Sequence, residues 1–217
     1  MTEERESDRY IKEKWYKNIW YHYKIPIIIV LFLSVTISMF IYSSTTKEQN
    51  DLYIIYVTEN PEVYTEKIDA LCSTVAKYAE DTNGDGKVVV FFDNIYIGAD
   101  NQDDVIYKNK EKIMTVLRSG NCMFLACDEY GLNYLTEADA FYDLSEMTDN
   151  TTEDGKAYIV NGTSFMDKDT MVKWNSDLYF GLRIYEGTIA ELLPNSQQNF
   201  EKSKAVLERI INDTEIN

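Results

Sequence analysis

Hydrophobic and polar positions divide the chain into one long apolar run and, after it, short apolar runs alternating with helical stripes. The long run is IPIIIVLFLSVTISMFIY, residues 25–42. Eighteen residues rise about 27 Å as a helix, close to the ~30 Å hydrocarbon thickness of a bilayer, so one transmembrane helix is expected there. The 24 residues ahead of it and the lack of an A-x-A pattern in SMFIYSSTTK argue against a cleaved signal peptide. No cysteine follows the run closely enough for a lipid anchor.

The outer region begins with LYIIYVT (52–58), which reads as a buried strand. In NPEVYTEKIDALCSTVAKYAED, Asn60 can cap a helix that Pro61 and Glu62 would open. Tyr64, Ile68, Leu71, Cys72, Val75 and Ala79 then form its apolar stripe. KVVVFFDNIYIG predicts a second strand, and QDDVIYKNKEKIMTVLRSG a second helix with Ile106, Ile113, Val116 and Leu117 inward and Gly120 as its stop. NCMFLACDEYG is apolar over six consecutive residues, as expected of a strand covered on both faces. The β-α-β-α-β order over 52–128 predicts an α/β fold with a mostly parallel sheet between two helical layers.

Beyond it the pattern is less regular. GLNYLTEADAFYDLSEM predicts a short helix, a connector and a helical turn, while KAYIVNGTSF and DLYFGLRIYEG predict two strands. NSQQNFEKSKAVLERIIND predicts a closing helix, with Phe200, Ala205, Val206, Ile210 and Ile211 as its apolar face. Residues 52–217 are expected to form one extracytoplasmic domain of ordinary size.

Charge orients the chain. Lys12, Lys14, Lys17 and Lys24 precede the apolar run, and Lys47 alone follows it before Lys67, so residues 1–24 are expected in the cytoplasm and the outer domain outside the cell membrane. Trp15, Trp20, Tyr21 and Tyr23 suit a basic, aromatic juxtamembrane segment lying at the lipid headgroups. Residues 43–51 read as a polar stalk. The first 42 residues hold 6 basic and 5 acidic side chains of the 21 and 37 in the chain, leaving 15 and 32, a net −17, outside. Such a surface repels nucleic acid, so the lipid bilayer is an expected partner and nucleic acid is not.

Candidate chemistry adds little. The only histidine is His22, and neither G-x-S-x-G, a glycine-rich phosphate loop nor CxxC occurs. A non-catalytic protein is expected. Cys122 and Cys127, if on one strand, would face opposite sides too far apart to bridge; a bridge from Cys72 to one of them stays open, and three buried thiols are the default. In DTNGDGK, Asp81, Asn83 and Asp85 fill the first three ligand positions of an EF-hand-type calcium loop. Val89 and Phe92 stand where positions 9 and 12 need oxygen. A tight turn with no cofactor is therefore expected, Asp81, Asn83 and Asp85 being the only metal candidates.

Sheet topology places a ligand outside the carboxyl ends of parallel strands, where strand order reverses. The candidates are Thr58, Glu59 and Asn60 after the first strand, Asp93 and Asn94 in the second, and Asp128, Glu129 and Tyr130 after the third.

DTNGDGKVVV, LRSGNCMFLACD and YLTEADAFYDLSEM, the last ending in the turn Asp143, Leu144, Ser145 and Glu146, together resemble the first lobe of bacterial extracellular solute-binding proteins of ABC importers, over roughly residues 50–147. WYKNIWYHYKIP resembles the anchor flanks of single-pass membrane proteins of Gram-positive bacteria. The resemblance implies a membrane-anchored accessory or interaction module beside a membrane transporter or another envelope protein. Its alternative implication is a tethered receptor for a small solute, a sugar, peptide or amino acid, at the strand ends named above. The chain is short for two lobes and the cleft between them.

Overall fold

The computed structural model describes residues 20–21, 23–39, 50–60, 65–98, 104–166 and 177–216. Lys12, Lys14, Lys17, His22, residues 40–49, and Pro61, Glu62 and Tyr64 lie outside the described residues. The chain forms two units, residues 1–48 and 49–217.

In the first unit, residues 23–39 are a helix, α1, every described residue of which is exposed. Among the described residues no helix is long and apolar enough to cross a membrane.

The second unit is an α/β domain with a five-stranded mixed sheet. Its strands are β1 (Leu52–Thr58), β2 (Val90–Tyr96), β3 (Phe124–Cys127), β4 (Tyr158–Ile159) and β5 (Tyr179–Leu182), in the order β2-β1-β3-β5-β4. β1 pairs in parallel with β2 and β3, whereas β5 runs antiparallel to both β3 and β4. Four strands therefore share one direction.

Among the described residues of this unit the α-helices are α2 (Thr65–Ala76), α3 (Asp104–Ser119), α4 (Glu129–Glu137) and α5 (Ser196–Ile211). Right-handed crossovers decide which face each of the first two covers. The chain moves one way from β1 to β2 and the other way from β2 to β3, so α2 and α3 fall on opposite faces. One core gathers Ile54, Tyr56, Phe124 and Phe180 of the sheet under Leu71 and Val75 of α2 and Phe200, Val206, Leu207 and Ile210 of α5. The other gathers Ile55, Val57, Ile95 and Leu125 under Ile113 and Leu117 of α3 and Leu135 of α4. The alternation of odd and even residues of β1 between the two cores is the period-two rule of a strand.

Several expectations shift. β2 starts at Val90 and not at Lys87. The KAYIVNGTSF strand shrinks to two residues. On α5, Leu207 is fully buried where Ala205 was expected, and on α3 Val116 is only half-buried. Cys122 and Cys127 do not face opposite sides: β3 begins at Phe124, the alternation does not reach Cys122, and both thiols join the same core.

All three cysteines are free. Burial pushes the thiols of Cys72 and Cys122 up to about 11 and about 12, and that of Cys127 well above its ordinary value. Native Cys72, the one half-buried thiol, should be alkylated at pH 8 on the order of a hundredfold more slowly than a free thiol, whose pKa is about 8.5, because so little thiolate is present. Iodoacetamide labelling followed by mass spectrometry measures this; a rate equal to that of a free thiol would contradict the burial.

Candidate functional site

The sheet order reverses at β1, with β2 on one side and β3 on the other, so a ligand is expected where β1 and β3 end. Thr58 and Asp128 occupy those ends, and both are buried. They are spent on one another. The Thr58 hydroxyl donates to Asp128 Oδ2 at 2.6 Å, and the Glu59 amide donates to the same oxygen at 2.9 Å. Asp128 Oδ1 accepts from the Gly131 amide at 2.8 Å, capping α4. Thr58 Oγ1 in turn accepts from the Asn60 amide at 3.0 Å. The carboxylate thus ties the end of β1 to the start of α4.

Gly131 makes that closeness possible. A Cβ there would stand 2.2 Å from the Val57 carbonyl oxygen, on backbone that cannot step aside. The side chains of Glu59 and Asn60 are exposed, as is Glu129 in the first turn of α4, where its charge suits the helix end. Tyr130 is half-buried against the core beneath α4.

Asp93 and Asn94 are not at a strand end. They pair with Ile55 and Tyr56 in the middle of β2, which continues to Tyr96. Asp93 accepts from the Tyr53 hydroxyl at 3.0 Å and from Lys112 Nζ at 2.6 Å, joining α3 to the sheet. Burial first, and the Asp93 carboxylate second, push the Tyr53 phenol well above its usual value, so it holds its proton as a donor. The expected strand-end residues consequently form two separate groups, Thr58–Asn60 with Asp128–Tyr130, and Asp93 with Tyr53 and Lys112.

The oxygens of the exposed DTNGDGK turn are also bonded to amides of the protein itself. Asp81 accepts from the amides of Gly84 at 2.7 Å and Gly86 at 2.8 Å, Asn83 from Asp85 at 2.8 Å, and Asp85 from Lys87 at 2.9 Å. Those amides, Gly86 foremost, hold the Asp81 carboxyl below its ordinary range. Gly84 and Gly86 take φ of 75° and 82°, which the reversal requires. Among the described residues no group of three or more His, Cys, Asp or Glu is placed to hold a metal ion.

Sequence reasoning missed Asp51, which it left in the stalk. Asp51 is buried, and its Oδ1 accepts from the Thr82 amide at 2.8 Å, the Thr82 hydroxyl at 2.9 Å and the Asn83 amide at 3.3 Å. Its Oδ2 accepts from the Val89 amide at 2.9 Å. One carboxylate fixes both ends of the turn. The available signal was an acidic residue directly ahead of a strand.

Arg183, just past β5, is 5% exposed, and its Nη1 has no hydrogen-bond partner among the described residues. Desolvation pulls its guanidinium below its ordinary value. Replacing an unpaired buried cation by an apolar side chain of similar length is expected to stabilise, so Arg183→Met should raise the unfolding free energy by about 1–3 kcal/mol. Urea unfolding checks this, and a loss of stability would mean that the guanidinium has a counter-ion.

No protein-family model, no curated protein and no solved structure matches this chain.

Proposed function

We propose that the chain is a single-pass membrane protein, N-terminus inside, whose outer α/β domain is a non-catalytic interaction module for another envelope protein. The observation that carries the interaction reading is the state of the switch point. Thr58 and Asp128, the polar side chains best placed to meet a solute, are buried and bonded to each other and to backbone amides. A receptor needs such groups turned into an open pocket. Catalysis needs titratable groups converging on one cleft, whereas Asp93 and Asp128 serve separate structural clusters.

Anchoring is supported by α1. Ile25, Val30, Leu31, Phe32 and Met39 are all more than half exposed, apolar surface that water alone does not accommodate. Parallel strands β2-β1-β3 with helices on both faces support kinship with one lobe of a solute-binding protein, without that family's capture of solute.

The test is thermal unfolding of the full chain in detergent against sugars and amino acids, paired with chemical cross-linking in intact cells. An interaction module should show no shift in its midpoint and should cross-link to an envelope protein. A rise in the midpoint with one solute, by mass action on the native state, would replace this reading with the tethered receptor.

A further inference from the structure

Among the described residues Leu192 is the most exposed large apolar side chain, at 85%, and Ile189 is 65% exposed. Both belong to a 3-10 turn, Ile189–Leu192, in which residues three apart share a side. Thr188 opens the turn by accepting from the Ala190 amide, Ala190 is buried, and Leu193 and Pro194 extend the exposed apolar surface. A single exposed leucine is ordinary, but three large aliphatic side chains within residues 189–193 make a patch. The patch stands at the amino end of the sheet. Leu193 and Ser196 flank Gly120, just ahead of β3, and Asn199 Nδ2 donates to the Gly120 carbonyl. β1 starts alongside, since Ile54 pairs with Phe124 and the Cys122 thiol donates to the Tyr53 carbonyl. Residues 43–51 lead into β1 at this same end. Even fully extended, those nine residues reach about 30 Å at most, which keeps this end of the domain close to a bilayer that holds residues 25–42.

We propose that Ile189, Leu192 and Leu193 dip into the headgroup region of the bilayer, giving the outer domain a membrane contact of its own. The inference rests on the anchoring reading above and adds a surface of the domain to it. Residues 184–201 hold Glu186, Glu191 and Glu201 and no Lys or Arg, so the contact is apolar and a zwitterionic bilayer suffices. The tether makes a small patch sufficient, because a linked surface meets the lipid at a high effective concentration. The carboxyl end of β1, with Glu59, then points away from the membrane.

The test places the full chain in phosphatidylcholine vesicles, some of whose lipids carry a nitroxide near the top of the acyl chain. A nitrobenzoxadiazole fluorophore is attached through Leu192→Cys or, at the far end of β1, through Glu59→Cys; both side chains are exposed, so neither substitution disturbs the core. Cys122 and Cys127 are buried and Cys72 half-buried, and the parent protein treated alike measures their background. The label at residue 192 should be quenched about threefold more than the label at residue 59, and adding Ile189→Asp should remove most of that difference. Flotation with the vesicles separates the two readings. A chain that does not float overturns the anchor and this contact together. A chain that floats but is quenched equally at both positions overturns the contact and leaves the anchor standing. Emission from residue 192 that shifts to the blue only as protein density rises, with no lipid quenching, would make the occupant a second copy and overturn the bilayer contact.

Discussion

Asp128→Ala is expected to cost about 3–5 kcal/mol of stability, the sum of a lost helix cap and buried donors left without an acceptor. Two of those donors, the Thr58 hydroxyl and the Glu59 amide, converge on a single oxygen, and the third is the Gly131 amide at the start of α4. Water cannot easily replace the carboxylate, because Asp128 is 2% exposed and Thr58 fully buried. Asp128→Asn should cost less, about 2 kcal/mol, since its one oxygen can keep the cap or the Thr58 pair but not both. Urea unfolding of the three proteins measures the series. If Asp128→Ala were neutral, the switch point would not be the internal tie described, and a solute site there would regain its claim.

The second large effect is expected at Asp51. Four donors from Thr82, Asn83 and Val89 meet its carboxylate, and hydrogen bonds to a charged group contribute about 1.5–3 kcal/mol each when made singly. They are not independent, and the exposed turn can rehydrate in part. A loss of about 3 kcal/mol is therefore expected for Asp51→Ala. Amide exchange offers a local readout: the Thr82 and Val89 amides should lose protection, while those of β3 should follow only the global change. Unchanged exchange at Thr82 would show that the turn stands without Asp51. Calcium added to the Asp51→Ala variant should restore nothing, because the turn oxygens are bonded to their own amides.

Much of the fold could be read directly from the chain because it is governed by short-range periodicity. Leu71 and Val75 lie one turn apart on α2 and are both fully buried, and the apolar run leading into β3 is buried from Cys122 to Cys127. The parallel run of β1, β2 and β3 followed from the alternation of strands and helices. What could not be read depends on partners far apart in sequence. Thr58 and Asp128 were both named as strand-end residues, yet nothing local reveals that they bond across 70 positions. Asp93 and Asn94 were named as strand-end residues although the run KVVVFFDNIYIG continues past them, and β2 carries on to Tyr96. The antiparallel insertion of β5 between β3 and β4 left no mark in YFGL, since four apolar or small residues suit either direction.

The clasp between α5 and α2 bears on when the domain can close during synthesis. The buried Tyr78, just past α2, donates its hydroxyl to Asp213 at 2.8 Å across 135 positions. Arg209 grips the Tyr78 carbonyl at 3.1 Å and pairs with Glu80. Phe200, Val206, Leu207 and Ile210 roof the same core as α2. A chain emerging from its amino end can assemble β1, β2 and β3 early, but one face of that sheet is covered only in part, by α2, until α5 has been made. Contacts of such long sequence separation form late and slowly. A chain ending before residue 196 would thus be a sticky intermediate whose apolar face, Phe124 and Phe180 included, a chaperone could recognise.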